Sequence, residues 1–270
     1  MQLVVDVGNT ETVVGLVAGT RELVAHWRVS SNVPRTADEM RALIRAFLAG
    51  DGVIEEEIIR GVVGSVVPSV NQVWTKTLSR IVRGGVYEVG PASPLPITLD
   101  VEEPLSVGAD RIVNTLAARE MYHEDTVVVD LGTATTFDCI TGEGVFLGGV
   151  IAPGLAAGLD WLAGRTAKLP RVELVPPERV IGRRTETCIQ SGVFYQAVAG
   201  VDGIVDRIRK EWGKPDARVV ATGGFASAIG PYLETVDQVE PFLTLYGLAM
   251  AGECLDQSLS PSRETGLHSR

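Results

Sequence analysis

At 270 residues, with 45% apolar side chains, 21% charged ones and 30 glycines, the chain reads as an α/β protein of one large or two ordinary domains, not as a disordered or fibrous one. A net charge of −10 argues against a nucleic-acid partner, though a local nest of amides and a cation could still hold an anionic ligand. Cys139, Cys188 and Cys254 lack metal-ligand spacing and read as reduced thiols, and no apolar run approaches a membrane span, so a cytoplasmic protein with no membrane contact is expected.

In chain order, residues 2–7 form a strand, residues 12–17 return after Gly8-Asn9-Thr10, and residues 22–29 make a third strand holding Trp27. Thr36 and Glu39 compose a capping box for a helix over 37–49, whose apolar face is Met40, Leu43, Ile44 and Phe47. A strand over 59–67 ends at Pro68, which suits the first turn of a helix over 69–83. After a short strand at 86–89, four prolines between 90 and 104 predict a loop or an edge crossing. Residues 107–111 open a helix that runs to about Tyr122.

The plan then repeats. Val127-Val128-Val129-Asp130 reads as a buried strand ending on a carboxylate, followed by Gly132-Thr133-Ala134 and a return strand over 136–140. Laying Asp6 on Asp130 brings Val4, Val5, Asp6, Gly8 and Thr12 onto Val128, Val129, Asp130, Gly132 and Thr136, five identities in nine positions. Two related halves are expected, 1–122 and 123–256, with a disordered tail over 257–270. In the second half a strand over 145–151 carries Gly148-Gly149, a helix follows over 155–167, and Thr185 caps a long helix. Residues 218–221 form a strand that delivers Thr222-Gly223-Gly224, and a last helix covers 242–255. Trp27, Trp74, Trp161 and Trp212 are expected to be core or interface packing.

Three small-residue turns after strands suit phosphate binding, since backbone approaches a polyphosphate only where side chains are small. None is a Walker loop or a dinucleotide fingerprint. Ordinary hairpin turns are the competing reading for each one. Asp6 and Asp130 could position cations against phosphate, or merely cap nearby amides. Asp110 is a candidate base in the first turn of a helix, where the dipole should lower its basicity. Arg111 beside it could hold an anionic group. A helix-start acid with a surface arginine is the plainer alternative.

Taken together, these segments resemble the type III pantothenate kinases of the acetate kinase/sugar kinase/Hsp70/actin superfamily. Asp6-Val7-Gly8-Asn9-Thr10 is similar to the family's first phosphate motif, Gly108-Ala109-Asp110-Arg111 to its pantothenate motif, and Asp130-Leu131-Gly132-Thr133-Ala134-Thr135-Thr136 to its second phosphate and cation motif. Gly148-Gly149, Pro153-Gly154, Ala167-Lys168-Leu169-Pro170, Gln190-Ser191-Gly192 and Thr222-Gly223-Gly224 follow in register. The resemblance implies two duplicated ribonuclease H-like half-domains, the actin-like ATPase fold, with the nucleotide in the cleft separating them. It implies ATP-dependent phosphorylation of pantothenate to 4'-phosphopantothenate, the first step of coenzyme A biosynthesis, by a homodimer.

Residue by residue, it implies that Asp6, Val7, Gly8, Asn9, Thr10, Glu11, Thr12 and Val13 cradle the phosphates of ATP with Thr133, Asp6 serving the magnesium that accompanies ATP. Asp110 is the base, and Gly108, Ala109 and Arg111 line the pantothenate site, Arg111 near the substrate carboxylate. Asp130 binds potassium or ammonium, and Thr185 contacts pantothenate from across the dimer. One departure stands out: the tyrosine that many members carry before the Gly-Ala-Asp-Arg motif is missing, and Val101 stands seven residues before Gly108. A transcriptional accessory factor and a polyphosphate hydrolase are the rival readings. The presence of Asp6, Asp110, Arg111 and Asp130 weighs against the first, and the Gly-Ala-Asp-Arg motif against the second.

Overall fold

The computed structural model describes residues 1–165 and 169–259. They fall into two compact units, one of residues 1–96 with the segment from Leu248 onward, the other of residues 97–247. This division by packing differs from the division by duplication expected at 122/123. A helix that packs in one unit can precede, along the chain, the repeat it serves.

The first unit contains β1 (Gln2–Val7), β2 (Glu11–Ala18), β3 (Glu22–Ser30), α1 (Ala37–Gly50), β4 (Arg60–Ser65), α2 (Pro68–Leu78) and β5 (Val86–Val89). The second contains β6 (Thr98–Leu99), α3 (Ala109–Tyr122), β7 (Thr126–Leu131), β8 (Ala134–Ile140), β9 (Val145–Pro153), α4 (Leu155–Arg165), α5 (Thr185–Trp212), β10 (Arg218–Thr222), α6 (Ala226–Ile229) and β11 (Gln238–Val239). The last helix, α7 (Leu243–Leu259), begins in the second unit and continues in the first.

The two sheets share one plan. The first has strand order β3-β2-β1-β4-β5, and the second β9-β8-β7-β10-β11 with β6 added beyond β9. In each, an antiparallel meander of three strands is extended by two parallel strands. The halves even share a bulge. It lies at Leu16/Val17 facing β3 and at Cys139/Ile140 facing β9, and it leaves Val24 and Leu147 out of the pairing.

The ungapped overlay of Thr12 on Thr136 needs correction. Val7 pairs with Thr12, but its counterpart Leu131 pairs with Thr135. The first turn is one residue longer, so beyond it Thr12 corresponds to Thr135 and Gly15 to Asp138. The shared bulge fixes that equivalence independently.

Alternation along the strands sorts their faces. Leu3, Val5, Val7, Val14 and Leu16 point into a core closed by Met40, Ile44 and Leu48 of α1 and Trp74 and Leu78 of α2. The matching face of the second sheet, Val127, Val129, Leu131 and Phe137, packs with Phe194, Val201 and Val205 of α5. The other face of the first sheet meets α7. A Cβ on Gly252 would stand 2.5 Å from the Val62 side chain, and Asp256 accepts from Arg60 Nη2 at 2.6 Å and Tyr87 O–H at 2.5 Å. Against the other face of the second sheet lies α3.

Several expected boundaries shift. The helix after Pro68 ends at Leu78, the next starts at Ala109 after a 3-10 turn at Pro104–Ser106, and the last runs on to Leu259. Residues 257–259 are therefore helical, and the rest of the expected tail lies outside the described residues, as do Ala167 and Lys168. The proline-rich loop holds a two-residue strand, β6, which pairs with β9 through Thr98↔Val145 and Leu99↔Phe146. Thr185 is the first helical residue of α5 and not its cap. The Thr187 hydroxyl accepts the Arg184 N–H at 3.1 Å instead.

Thr36 does form the capping box: its hydroxyl accepts from Glu39 N–H at 3.3 Å while the Glu39 carboxylate accepts from Thr36 N–H at 2.7 Å. Replacing Thr36 by Ala should cost about 1 kcal/mol of unfolding free energy in a denaturant titration and leave turnover unchanged. No loss of stability would mean that the box contributes nothing.

Candidate active site

In the second unit, β7 and β8 place Asp130, Thr136 and Asp138 on the face covered by α3, because Asp130 pairs with Thr136 and Val128 with Asp138. Helix α3 starts after Gly108, and its first turn carries Asp110 and Arg111. Its buried stretch from Ile112 to Ala118, small or β-branched for most of its length, seats the helix on the sheet. The N-terminal turn, with its own Asp110, is thereby held over two carboxylates, Asp130 and Asp138.

Arg111 turns inward. Its Nε donates to Asp138 Oδ1 at 2.7 Å, and its Nη2 lies 2.7 Å from the same oxygen. The guanidinium carbon stands 4.9 Å from the Phe146 ring centroid, a cation–π contact. Asp110 Oδ1 accepts the Arg111 backbone N–H at 2.8 Å. Asp110 is half-buried, and burial outweighs that N–H and the Arg111 charge, holding its carboxyl above the ordinary range. The helix-start position alone suggests the opposite shift. Desolvation wins here.

Asp130 is pushed up to about 7, first by burial and then by the Asp110 charge, against the Asn114 amide. Asn114 is itself fixed by the Thr244 hydroxyl, which donates to its Oδ1 at 3.0 Å. Asp138 is fully buried and also pushed up to about 7 by burial, in spite of Arg111, with Asp110 and Asp130 adding to the shift. Asp110 and Asp138 thus share one guanidinium, and Asp130 is left without it.

Two glycines come close to the strand end at Asp130 and the turn after it. Gly223 has φ +91°, and a Cβ there would stand 2.2 Å from Asp130 Oδ1. A Cβ on Gly154 would stand 2.2 Å from the Thr133 carbonyl oxygen and 2.5 Å from that of Gly132. Both positions need glycine, and both leave carbonyl and carboxylate oxygens close together. Excess negative charge, a half-buried Asp130 and neighbouring carbonyls suit a cation. Among the described residues no three His, Cys, Asp or Glu side chains could hold a metal by themselves. A cation at Asp130 would therefore take further ligands from carbonyls, water or phosphate.

The remaining candidates sit as follows. In the first unit, Asp6 lies near the end of β1, paired with Val13 and Gly64. The turn after it is closed by Gly8 N–H donating to the Glu11 carbonyl at 3.1 Å. Glu11 is engaged by Arg28 at 2.8 Å, and the Thr12 and Ser31 hydroxyls are 2.9 Å apart. Asn9 and Thr10 are exposed, Val13 is half-buried and Val7 is buried. In the second unit, Thr133 and Thr185 are exposed and Ala109 is buried. Val101 lies 3.6 Å from where a Gly148 Cβ would stand, one residue from Gly149, which faces Arg111.

Sequence reasoning passed over Asp138 and Phe146. A signal existed for the first: a charged residue in the run Phe137-Asp138-Cys139-Ile140 needs a buried partner. Cys139, beside it, has its thiol pushed up to about 11 by burial, which leaves it little reactive.

A family model for type III pantothenate kinases matches residues 2–207. The chain belongs to the type III pantothenate kinase family. It is 46% identical over 253 residues to the type III pantothenate kinase of Moorella thermoacetica, covering 94% of this chain and 99% of that one. It is 42% identical over 253 residues to that of Desulfosudis oleivorans, covering 93% and 98%. Among solved structures, the fold is similar to a chain described as a Baf family transcriptional activator from Campylobacter jejuni, with TM-score 0.56, 18% identity and coverage of 95% and 98%. The ethanolamine utilization protein EutJ of Carboxydothermus hydrogenoformans gives TM-score 0.54, 17% identity and coverage of 93% and 89%. A ROK hexokinase from Thermus thermophilus gives 0.50, 15%, 94% and 98%. These likenesses place the family member in the actin-like ATPase and sugar kinase fold.

Asp130 and Asp138 bind a proton more tightly in the folded chain than the ordinary 3.8 allows in the unfolded one. Their contribution to stability is full below about pH 4 and is lost as pH rises towards about 7, at up to about 1.4 kcal/mol per pH unit for each group. In potassium-free buffer the melting temperature should therefore fall between about pH 5 and 7, and less steeply for Asp130→Asn. Identical slopes for the two proteins would remove Asp130 from this account.

Proposed function

We propose that this chain phosphorylates pantothenate at its primary hydroxyl with ATP, giving 4'-phosphopantothenate and ADP, the first step of coenzyme A biosynthesis. The observation that carries the reading is Asp110: a carboxylate held above its ordinary pKa range at the start of a buried helix, beside Asp130 and an arginine. Family membership over nearly the whole chain supplies the substrate.

In this mechanism the acceptor hydroxyl lies against Asp110, flanked by Gly108 and Ala109. As its oxygen bonds to the γ-phosphorus, the bond to the β–γ bridging oxygen breaks and ADP leaves. The hydroxyl proton passes to Asp110 Oδ2, since Oδ1 already accepts the Arg111 N–H. A raised pKa suits a base that holds the proton after transfer. Arg111 receives the acceptor carboxylate, and Val101 lines the pocket where a tyrosine often stands. The turn from Asp6 to Val13 is the candidate phosphate cradle of the first unit, and Thr133 a candidate phosphate contact of the second. The small Gly8 of the Asp6–Val13 turn lets a phosphate come near the backbone where a larger side chain would block approach.

Magnesium accompanying ATP near Asp6, and potassium or ammonium at Asp130, offset phosphate charge when bound.

We further propose a cytoplasmic homodimer in which Thr185 reaches pantothenate. In the second unit Ile151 is 66% exposed, Trp161 63%, Val180 64% and Ile181 82%, apolar side chains that a partner protomer would cover. Among the described residues no helix is long and apolar enough to cross a membrane. The acidic surface offers nothing to nucleic acid.

The test is coupled ADP release with and without pantothenate, in potassium and then in sodium buffer. Release should need pantothenate and fall in sodium, and Asp110→Asn should lower kcat by roughly 10²-fold or more. Pantothenate-independent release would defeat the kinase reading, equal rates in both salts the cation role of Asp130, and full activity of the variant the role of Asp110.

A further inference from the structure

Asp138 takes no part in the mechanism above, yet it is fully buried and holds the arginine that the mechanism uses. Burying a carboxylate is costly even when paired, and the pair by itself is weak evidence of stabilisation. Its second oxygen, Oδ2, is buried with no hydrogen-bond partner, which adds to the cost.

The fold does not demand a carboxylate there. The counterpart of Asp138 in the first sheet is Gly15, fixed by the shared bulge one residue further on. Gly15 pairs with Val4 as Asp138 pairs with Val128, and that sheet forms with no side chain at the position. What Asp138 does must therefore concern Arg111.

The arginine is constrained from three directions. Asp138 Oδ1 lies 2.7 Å from Nε and from Nη2, and the Phe146 ring lies under the guanidinium at 4.9 Å. A Cβ on Gly149 would come within 3.2 Å of Nη2 and 1.6 Å of the Phe137 carbonyl oxygen, so only glycine leaves the slot open. Nη2 is buried, yet the Arg111 side chain keeps 17% exposure. One part of the guanidinium is anchored and another still faces outward. A free arginine samples many rotamers, and ordering it on binding costs affinity.

We propose that Asp138 is a positioning residue for acceptor recognition: it pre-orients Arg111, with Phe146 and Gly149 shaping the slot, so that the chain prefers an acceptor bearing a carboxylate. This rests on the reading that Arg111 receives that carboxylate.

The experiment measures dissociation constants, by calorimetry on the full chain, for pantothenate and for its neutral alcohol analogue pantothenol. Wild type, Asp138→Asn, Arg111→Gln, the double variant and Phe146→Leu are compared, with the KM for ATP measured alongside. Asp138→Asn should lower the preference for pantothenate over pantothenol by about tenfold, leave the KM for ATP unchanged, and add nothing further in the Arg111→Gln background. Phe146→Leu, which leaves the charges in place, should shift the preference the same way by less, and it carries the test alone if Asp138→Asn does not fold. Equal weakening of both ligands would make Asp138 merely structural and overturn the proposal. An unchanged preference in Asp138→Asn with a lost one in Arg111→Gln would overturn it while sparing the Arg111 reading. No change in Arg111→Gln would defeat that reading itself.

Discussion

Three carboxylates gathered at the first turn of α3, one on the turn and two beneath it, with one guanidinium among them, set the terms for the second unit. Such a cluster survives burial only if the charge is shared with protons, cations or dipoles, and each solution leaves a mark. Asp138 takes the arginine and Asp110 the N–H of the residue after it, while the Asp130 carboxyl is pushed up to about 7. The glycines follow from this arrangement. Gly223 stands where the Asp130 carboxylate leaves no room for a side chain, and Gly149 where Arg111 crosses the sheet. The helix, in turn, is built of Ala, Val and Thr on its buried side so that it can lie close enough for the charges to interact.

Much of this was legible in the sequence, because strand–carboxylate–turn patterns and helix caps are local signals. The duplication, the Thr36 box and the helix opened by Gly108 all depend on residues within a few positions of one another. What was hidden is non-local. Asp138 lies in a return strand, and only its pairing with Val128 shows that it faces α3 and Arg111. Strand β6 has two residues and exists only because β9 offers an edge, so no periodicity could reveal it. The basicity of Asp110 was misjudged for the same reason. The helix dipole can be read from chain order, but desolvation requires knowing what covers the residue.

The paired halves also show how one scaffold supports different chemistry. Both sheets put an aspartate near the end of the first strand, and both place a small-residue segment on the neighbouring parallel strand, Gly64-Ser65 in one and Thr222-Gly223 in the other. Only the second half carries a buried carboxylate on the return strand, Glu11 of the first being exposed. The counterpart of Asp138 is glycine, and the helix on that face, α7, comes close through Gly252 instead of ion-pairing at the position. One face of the duplicated sheet packs backbone against helix, and the other holds buried charge.

The extra residue in the first turn has a consequence for how the halves are compared. Side chains alternate across a strand, so a single uncompensated residue moves everything beyond it to the opposite face. An overlay without the gap would set Asp138 on Val14, a core residue, and make a recognition element look like a defect in the hydrophobic pattern. Each turn is thus matched to its own return strand. Hairpins exchanged between the halves would keep their faces only if strand and turn moved as one piece.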